Sequence, residues 1–115
     1  GISRKDGMNC VFCKIVRGEE SARKVYEDEK VLAFYTIAPE ANFHVLVVPK
    51  EHFEKFDELD GETAYYLLQA VAKIARSFNL DHFRVVNKNG FPAGQRVPHL
   101  HIHILSSNLP KGIIP

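Results

Sequence analysis

The chain has 115 residues, of which 45% are hydrophobic and 25% charged, with a formal net charge of +1. This length and composition are typical of one globular domain that can bury its own core. The near-neutral charge argues against a broad nucleic-acid surface, and no apolar run reaches the ~20 residues that span a bilayer. We therefore expect neither a nucleic-acid partner nor a membrane.

The first residues with a recognisable pattern are two cysteines. Residues 1–8 show no pattern, so we expect an expression scar or disordered tail there and a single domain over residues 9–115. Two cysteines without a wider disulfide framework indicate a reducing, cytoplasmic location. Cys10 and Cys13 form C-x-x-C, which fits a redox pair, half of a zinc site or two buried thiols. The redox alternative needs a strand before the motif, and none is predicted there.

Hydrophobic patterning predicts the elements of the first half of the chain. Cys10–Gly18 is expected to form one or two helical turns. Lys24–Asp28 and Val31–Ile37 predict two strands, and the charged turn between them predicts a hairpin. The apolar run His44–Val48, closed by Pro49, predicts a central strand.

The second half contains the clearest helix, predicted from an N-cap at Asp60 to about Asn79 with one apolar face. Residues 82–86 and 99–105 predict two further strands, joined by a loop over residues 87–98 that is rich in glycine and proline. Several strands and one long helix, with mostly hairpin-type connections, predict an α+β fold with an antiparallel sheet.

The histidine run in the last predicted strand is the strongest functional signal. Alternate residues of a strand share a face, so His99, His101 and His103 would point one way and the aliphatic residues between them into the core. Three such histidines suit either a metal site or a phosphate site. Neither the strand nor the preceding loop holds a carboxylate, and the loop supplies amides and one guanidinium, which favours phosphate. Neutral imidazole is also a competent nucleophile near pH 7.

The segment Gly94–Leu105 resembles the signature of the histidine triad (HIT) family, His-φ-His-φ-His-φ-φ. Similar blocks occur in the same order along residues 9–105: Cys10–Ile15, Val25–Asp28, Val31–Phe34 and His44–His52. The similarity is greatest to the Hint-like branch of nucleotide hydrolases and transferases. It implies a HIT-like fold with about five antiparallel strands, one long helix and a short N-terminal helix.

The resemblance also implies a reaction. In the family, the middle histidine attacks the α-phosphate of a nucleoside phosphate derivative, often a purine, and forms a covalent nucleotidyl-histidine intermediate. That role falls on His101, while His103 and His44 match positions that border the phosphate. Gln95 corresponds to a polar residue near the bridging or leaving atom.

Two positions in the loop stay open under the resemblance. Asn87 matches a phosphate-side asparagine, but Asn89 competes for that role because the loop is one residue longer than in the Hint-like branch. Arg96 stands where small hydroxyl residues are common, and it either contacts phosphate or points to solvent.

Relatives that carry the C-x-x-C motif imply a structural zinc site. Its ligands would be Cys10, Cys13, His52 and His99, with no organic cofactor. The family also implies a homodimer that acts on a small-molecule nucleotide.

One position departs from the family pattern. The third residue of Phe34-Tyr35-Thr36-Ile37 is commonly an aspartate that holds the ribose hydroxyls, and this chain has Thr36. A hydroxyl carries no charge and cannot bind a diol in a bidentate way. Phe34 and Ile37 remain candidates for packing against the base. Thr36 also motivates the alternative of a nucleotide- or zinc-binding regulatory module with little catalytic activity.

Overall fold

The computed structural model describes residues 10–108, so the expected tail at residues 1–8 lies outside it. The elements in chain order are α1 (Val11–Val16), β1 (Lys24–Glu27), β2 (Val31–Tyr35), β3 (Phe43–Pro49), α2 (Gly61–Ser77), β4 (Arg84–Asn87) and β5 (Ile102–Ser106), with 3₁₀ turns at Phe56–Glu58 and Phe91–Ala93. Neither helix of the described range is long and apolar enough to cross a membrane.

The strands form one five-stranded sheet in the order β1-β2-β3-β5-β4, and the neighbouring strands described are antiparallel. Side chains alternate between its faces. Val31, Ala33 and Val45 lie on the face covered by α2, whereas Leu32 and Leu46 lie on the face covered by α1. This two-layered burial confirms the predicted α+β fold and explains why β2 and β3 are apolar along their length.

Helix α2 begins where the sequence predicts it. The Asp60 carboxylate accepts a hydrogen bond from the Thr63 backbone N–H at 2.7 Å, which caps the first turn. Residues spaced by three and four turn inward: Thr63, Leu67, Ala70, Val71, Ile74 and Ala75. Leu68 has the spacing of this apolar face, yet it is 63% exposed. The face that packs on the sheet is therefore narrower than the apolar pattern suggests.

The last strand begins later than predicted. Its ladder with β3 starts at the pair Val47 and Ile102. Before that point, the Leu100 backbone N–H donates to the Phe53 carbonyl at 2.7 Å instead of joining the ladder. His99 and His101 therefore precede β5, and only His103 lies within it.

Candidate active site and metal centre

A cleft of about 1020 Å³ opens on the face of the sheet that carries α1. Two residues of the histidine run, His101 and His103, line it together with His44 of β3. Leu46 of β3 pairs with His103, and His44 pairs with Leu105, so His44 and His103 are diagonal neighbours on one face. The antiparallel pairing of β3 with β5 thus brings together histidines 59 positions apart in the chain.

His101 is held in one tautomer. Its ring is 6% exposed, and Nδ1 lies 2.8 Å from the His99 carbonyl oxygen. Because a carbonyl only accepts, Nδ1 carries the proton and Nε2 keeps its lone pair. Burial lowers the pKa of His101, partly opposed by that backbone hydrogen bond. The ring is therefore neutral near pH 7 and presents a nucleophilic nitrogen.

His44 and His103 form a directed hydrogen-bond chain. The Glu40 backbone N–H donates to His44 Nδ1 at 3.1 Å, so His44 carries its proton on Nε2. His44 Nε2 then donates to His103 Nδ1 at 2.9 Å, which leaves the proton of His103 on Nε2. Burial lowers the pKa of His44 and, more strongly, that of His103, to about 4. Within residues 10–108, the buried His103 Nε2 finds no hydrogen-bond acceptor.

A second cluster lies at the start of α1. The ligand-type atoms of Cys10, Cys13, His52 and His99 all lie within 4.8 Å of one another. His99 Nδ1 is 3.3 Å from Cys10 Sγ, 3.4 Å from Cys13 Sγ and 3.1 Å from His52 Nδ1. Ligands bonded to one tetrahedral ion at ~2.0–2.3 Å stand about 3.3–3.8 Å apart, so the four atoms are placed to bind a metal ion.

His99 is oriented for ligation by its other nitrogen. Nε2 lies 2.9 Å from the Pro49 carbonyl oxygen, so it carries the proton and leaves Nδ1 free to face the cluster. His99 is fully buried, and burial lowers its pKa to about 4. Two cysteine sulfurs and two histidine nitrogens match the ligand preference of a tetrahedral structural site.

Sequence comparison places the chain among known proteins. The HIT domain family model matches residues 17–108. The chain belongs to the HIT family.

Relatives and solved structures agree with this assignment. Protein hit of Bacillus subtilis is 46% identical over 102 residues, covering 84% of this HIT chain and 70% of the relative. Adenosine 5'-monophosphoramidase hnt1 of Schizosaccharomyces pombe is 41% identical over 98 residues, covering 85% and 74% of the two chains. A histidine triad protein from Clostridium difficile superposes with a TM-score of 0.81 at 42% identity, covering 90% of this chain and 96% of the other. The family expected from the histidine run is thereby confirmed.

The predicted substrate residues fall into two groups in this HIT structure. Phe34, Thr36, Ile37 and Arg96 line the cleft with the histidines. Asn87 and Gln95 are not among its lining residues. Asn87 donates through Nδ2 to the His101 carbonyl at 3.1 Å and accepts through Oδ1 from the Asn89 amide at 2.8 Å.

The Gln95 amide is committed to the main chain. Its Oε1 accepts from the Gly90 N–H at 2.6 Å, and its Nε2 donates to the carbonyls of Glu54 at 2.7 Å and Val97 at 3.0 Å. Gln95 is 6% exposed. The side-chain amide thus bonds to three main-chain groups and braces the loop.

Lys88 lines the cleft but is not among the site residues predicted from the sequence. It directly follows β4, and Val86 pairs with His103. Strand alternation extended by one residue would have placed Lys88 on the histidine face. A single lysine at the end of a strand belongs to no recognisable motif. Its place beside the histidines becomes evident only from the register between β4 and β5.

Proposed function

We propose that this chain is a nucleotidyl hydrolase or transferase that acts on the α-phosphate of a nucleoside phosphate derivative, with His101 as nucleophile. The observation that carries the proposal is the hydrogen bond from His101 Nδ1 to the His99 carbonyl, which leaves Nε2 as a lone-pair donor in a ring that lines the cleft. A purine nucleoside is the expected substrate, since the S. pombe relative is named an adenosine 5'-monophosphoramidase.

The reaction proceeds in two displacements. His101 Nε2 forms a bond to the α-phosphorus while the bond from phosphorus to the leaving group breaks, and the leaving group departs with the electron pair. The positive charge gained by His101 is stabilised by the Nδ1–H donated to the His99 carbonyl. Water or another acceptor then forms a bond to phosphorus and releases a proton to solvent, while the bond from phosphorus to Nε2 breaks and its electron pair returns to neutral His101.

His103 is proposed to bind a phosphoryl oxygen, and His44 to border the phosphate and orient His103 through their hydrogen bond. The unsatisfied Nε2–H of His103 is a donor that a phosphoryl oxygen would engage after a small side-chain movement. A well-placed donor of this kind contributes about 3–4 kcal/mol to the transition state. The Glu40-to-His44 hydrogen bond fixes which nitrogen donates.

The other end of the cleft is proposed to hold the nucleoside. Ile37 is fully exposed and offers apolar surface to a base, while Phe34 lines the same cleft but is only 3% exposed. Thr36 occupies the position beside them where a carboxylate would hold the ribose. Arg96 lines the same cleft, which supports the alternative in which it contacts phosphate. We assign Asn87 and Gln95 to positioning, because their amides bond to the main chain or to Asn89.

The metal cluster is proposed to hold a structural zinc ion. Cys10, Cys13, His52 and His99 complete a tetrahedral set, so no ligand position remains open for substrate. The ion would join the N-terminal segment to the ends of β3 and of the histidine run. Zinc supplies structural cross-linking here, and the proposed phosphate chemistry is carried by the histidines.

We also propose a homodimer. Exposed apolar side chains lie on or beside the edge strand β4 and on α2: Phe83, Val85, Tyr65 and Leu68. Pairing two such surfaces would cover them. Light scattering of the purified protein checks this state, and a monomer at micromolar concentration contradicts it.

The test of the catalytic proposal compares wild type with His101→Ala on adenosine 5'-phosphoramidate and a dinucleoside polyphosphate. His82→Ala is the matched control, because His82 is exposed and lies outside both clusters. We expect wild type and the control to release nucleoside monophosphate and to yield a nucleotidylated peptide containing His101 after rapid quenching. Full activity of His101→Ala contradicts the nucleophile. Tight nucleotide binding without turnover by wild type supports the binding-module alternative.

A further inference from the structure

Lys88 is anchored by its stem beside the histidines. It is half-buried, and a Cβ added to Gly94 would lie 3.0 Å from Lys88 Cδ and 3.8 Å from Nζ. Gly94 has a φ of +103°, a conformation that side chains other than glycine rarely adopt. The glycine therefore both makes the turn and leaves room for the methylenes of Lys88. Lys88 lines the cleft together with His44, His101 and His103.

The charge of Lys88 is not neutralised locally. Among residues 10–108, no carboxylate lies within ion-pair distance of Lys88, Arg84 or Arg96. Arg96 lines the same cleft as Lys88, while Glu40 and Glu20 also line it. Burial is the main cause of the lowered pKa of His44 and of His103; the charge of Lys88 lowers both further, and Glu40 acts in the opposite direction. Lys88 thus lies close enough to influence the atoms that would surround the phosphate.

We propose that Lys88, assisted by Arg96, is a specificity-determining residue that selects substrates whose leaving group is an oxyanion, such as a phosphate chain or sulfate, over an amine. This inference rests on the proposed function of the same cleft. In such substrates the terminal oxygens of the leaving group are already anionic and its bridging oxygen gains charge as it departs, whereas an amine leaving group is neutral or becomes cationic.

The chemistry favours a cation at this position. When His101 Nε2 bonds to the α-phosphorus, the bond to the leaving oxygen breaks and that oxygen keeps the electron pair, so its negative charge increases. A fixed ammonium stabilises this charge more in the transition state than in the ground state, which raises the rate. An amine that leaves must instead gain a proton, and a nearby cation disfavours the protonated product.

The experiment measures kcat/KM for adenosine 5'-phosphoramidate, a diadenosine polyphosphate and adenosine 5'-phosphosulfate in four proteins: wild type, Lys88→Met, Lys88→Arg and Lys73→Met. Lys73 is the matched control, because it is an exposed lysine of α2 on the opposite face of the sheet. In Lys88→Met we expect the ratio of oxyanion to amine kcat/KM to fall about tenfold. Lys88→Arg should retain the ratio, and Lys73→Met should leave it unchanged. If kcat/KM of Lys88→Met falls for the polyphosphate alone, Lys88 recognises a phosphate chain. If it falls for both oxyanion substrates, Lys88 recognises the negative charge that they share.

The outcomes separate this inference from the proposed function. If Lys88→Met keeps the ratio within about twofold of wild type, or lowers both kcat/KM values equally, Lys88 does not set specificity although the enzyme is active. If wild type processes no substrate, the catalytic proposal fails. Calorimetry then compares α,β-methylene-ADP with AMP. If Lys88→Met loses affinity for α,β-methylene-ADP but not for AMP, charge recognition by Lys88 is supported. If wild type and variant bind both nucleotides with equal affinity, charge recognition by Lys88 is overturned.

Discussion

The ring of Phe12 lies 5.1 Å from the ring of His101, edge to face at 78°. The same phenylalanine contacts His99, with ring centroids 5.8 Å apart, and stands between Cys10 and Cys13 in the chain. Phe12 therefore links the four candidate metal ligands to the proposed nucleophile through one buried side chain. The His99 carbonyl, which accepts the hydrogen bond of His101 Nδ1, is a second link between them.

Replacing Phe12 with leucine should lower activity by more than the loss of stability explains. The smaller side chain leaves space beside His101, and a shift of the nucleophile lowers kcat by about tenfold or more with little change in KM. The free energy of unfolding should fall by only about 1–2 kcal/mol. Phe78→Leu is the control, because Phe78 packs on Phe43 on the α2 side of the sheet. Equal kcat in the two variants contradicts a positioning role for Phe12.

The metal cluster should contain about one zinc ion per chain, and Cys13→Ser should lose it. Because metal binding to such a site is coupled to folding, the variant should melt at least about 5 °C lower than wild type. The activity of Cys13→Ser should also fall, since His99 is both a ligand and the acceptor for His101. Elemental analysis and calorimetry measure these effects. Wild type without bound metal, or a variant with unchanged melting, contradicts the structural ion.

Local patterning predicted the strands, the long helix and its Asp60 cap, because hydrophobic alternation and capping are short-range properties. The start of β5 was not predictable in this way. His99, Leu100 and His101 continue the alternating pattern, yet the Leu100 N–H bonds to the Phe53 carbonyl, a partner nearly fifty positions away in the chain. This competing hydrogen bond is a tertiary contact that local patterning does not reveal, so the predicted strand begins earlier than β5 does.

The site also combines residues that a local pattern predicts with residues whose positions depend on tertiary contacts. The alternating run of histidines identified His101 and His103, and the resemblance to the HIT family added His44. The bonding of Gln95 to Gly90, Glu54 and Val97 depends on how the loop folds over the segment after β3. Lys88 gains its position from the pairing of Val86 with His103. Neither relationship is encoded in local spacing.

Acidification should destabilise the fold through His103. Its pKa is about 4 in the folded protein, lowered mainly by burial, and about 6.5 in the unfolded chain. The unfolded state therefore binds more protons between these values, so stability is full above about pH 6.5 and falls as the pH is lowered towards about 4. The slope from one such group is at most about 1.4 kcal/mol per pH unit. His44, His101, Lys88 and Glu40 are the titratable or charged groups that act on it.

Urea unfolding of wild type and His103→Gln over this pH range isolates the contribution. We expect a shallower loss of stability in His103→Gln, because glutamine does not titrate. Metal content is measured at each pH so that loss of the ion is separated from protonation of His103. Parallel stability curves for the two proteins contradict the prediction.

Replacing Gln95 with leucine should reduce stability and activity together. The change leaves the Gly90 N–H and the carbonyls of Glu54 and Val97 without their side-chain partner, at about 1 kcal/mol for each lost hydrogen bond. The loop that carries Arg96 would loosen, and kcat should fall as the variant becomes less stable. Large loss of kcat with unchanged urea stability would instead show that Gln95 contacts the reacting atoms directly.

Thr36→Asp should increase the affinity for nucleotides that carry a ribose. Thr36 is half-buried, lines the cleft and accepts the Ala38 N–H at 3.2 Å through Oγ1. An aspartate can cap the same N–H with one oxygen and accept from the ribose hydroxyls with the other, as a charged acceptor. We expect AMP to bind about tenfold more tightly, measured by calorimetry.

Two comparisons identify the cause of that gain. Thr36→Asn has nearly the shape of aspartate without its charge and should gain much less affinity, because its amide offers only one accepting oxygen. A nucleotide that lacks the 2'-hydroxyl should bind the Thr36→Asp protein no better than wild type, since the diol is incomplete. An equal gain with the deoxynucleotide contradicts ribose recognition and indicates that the added carboxylate acts on the base or on the electrostatics of the whole cleft.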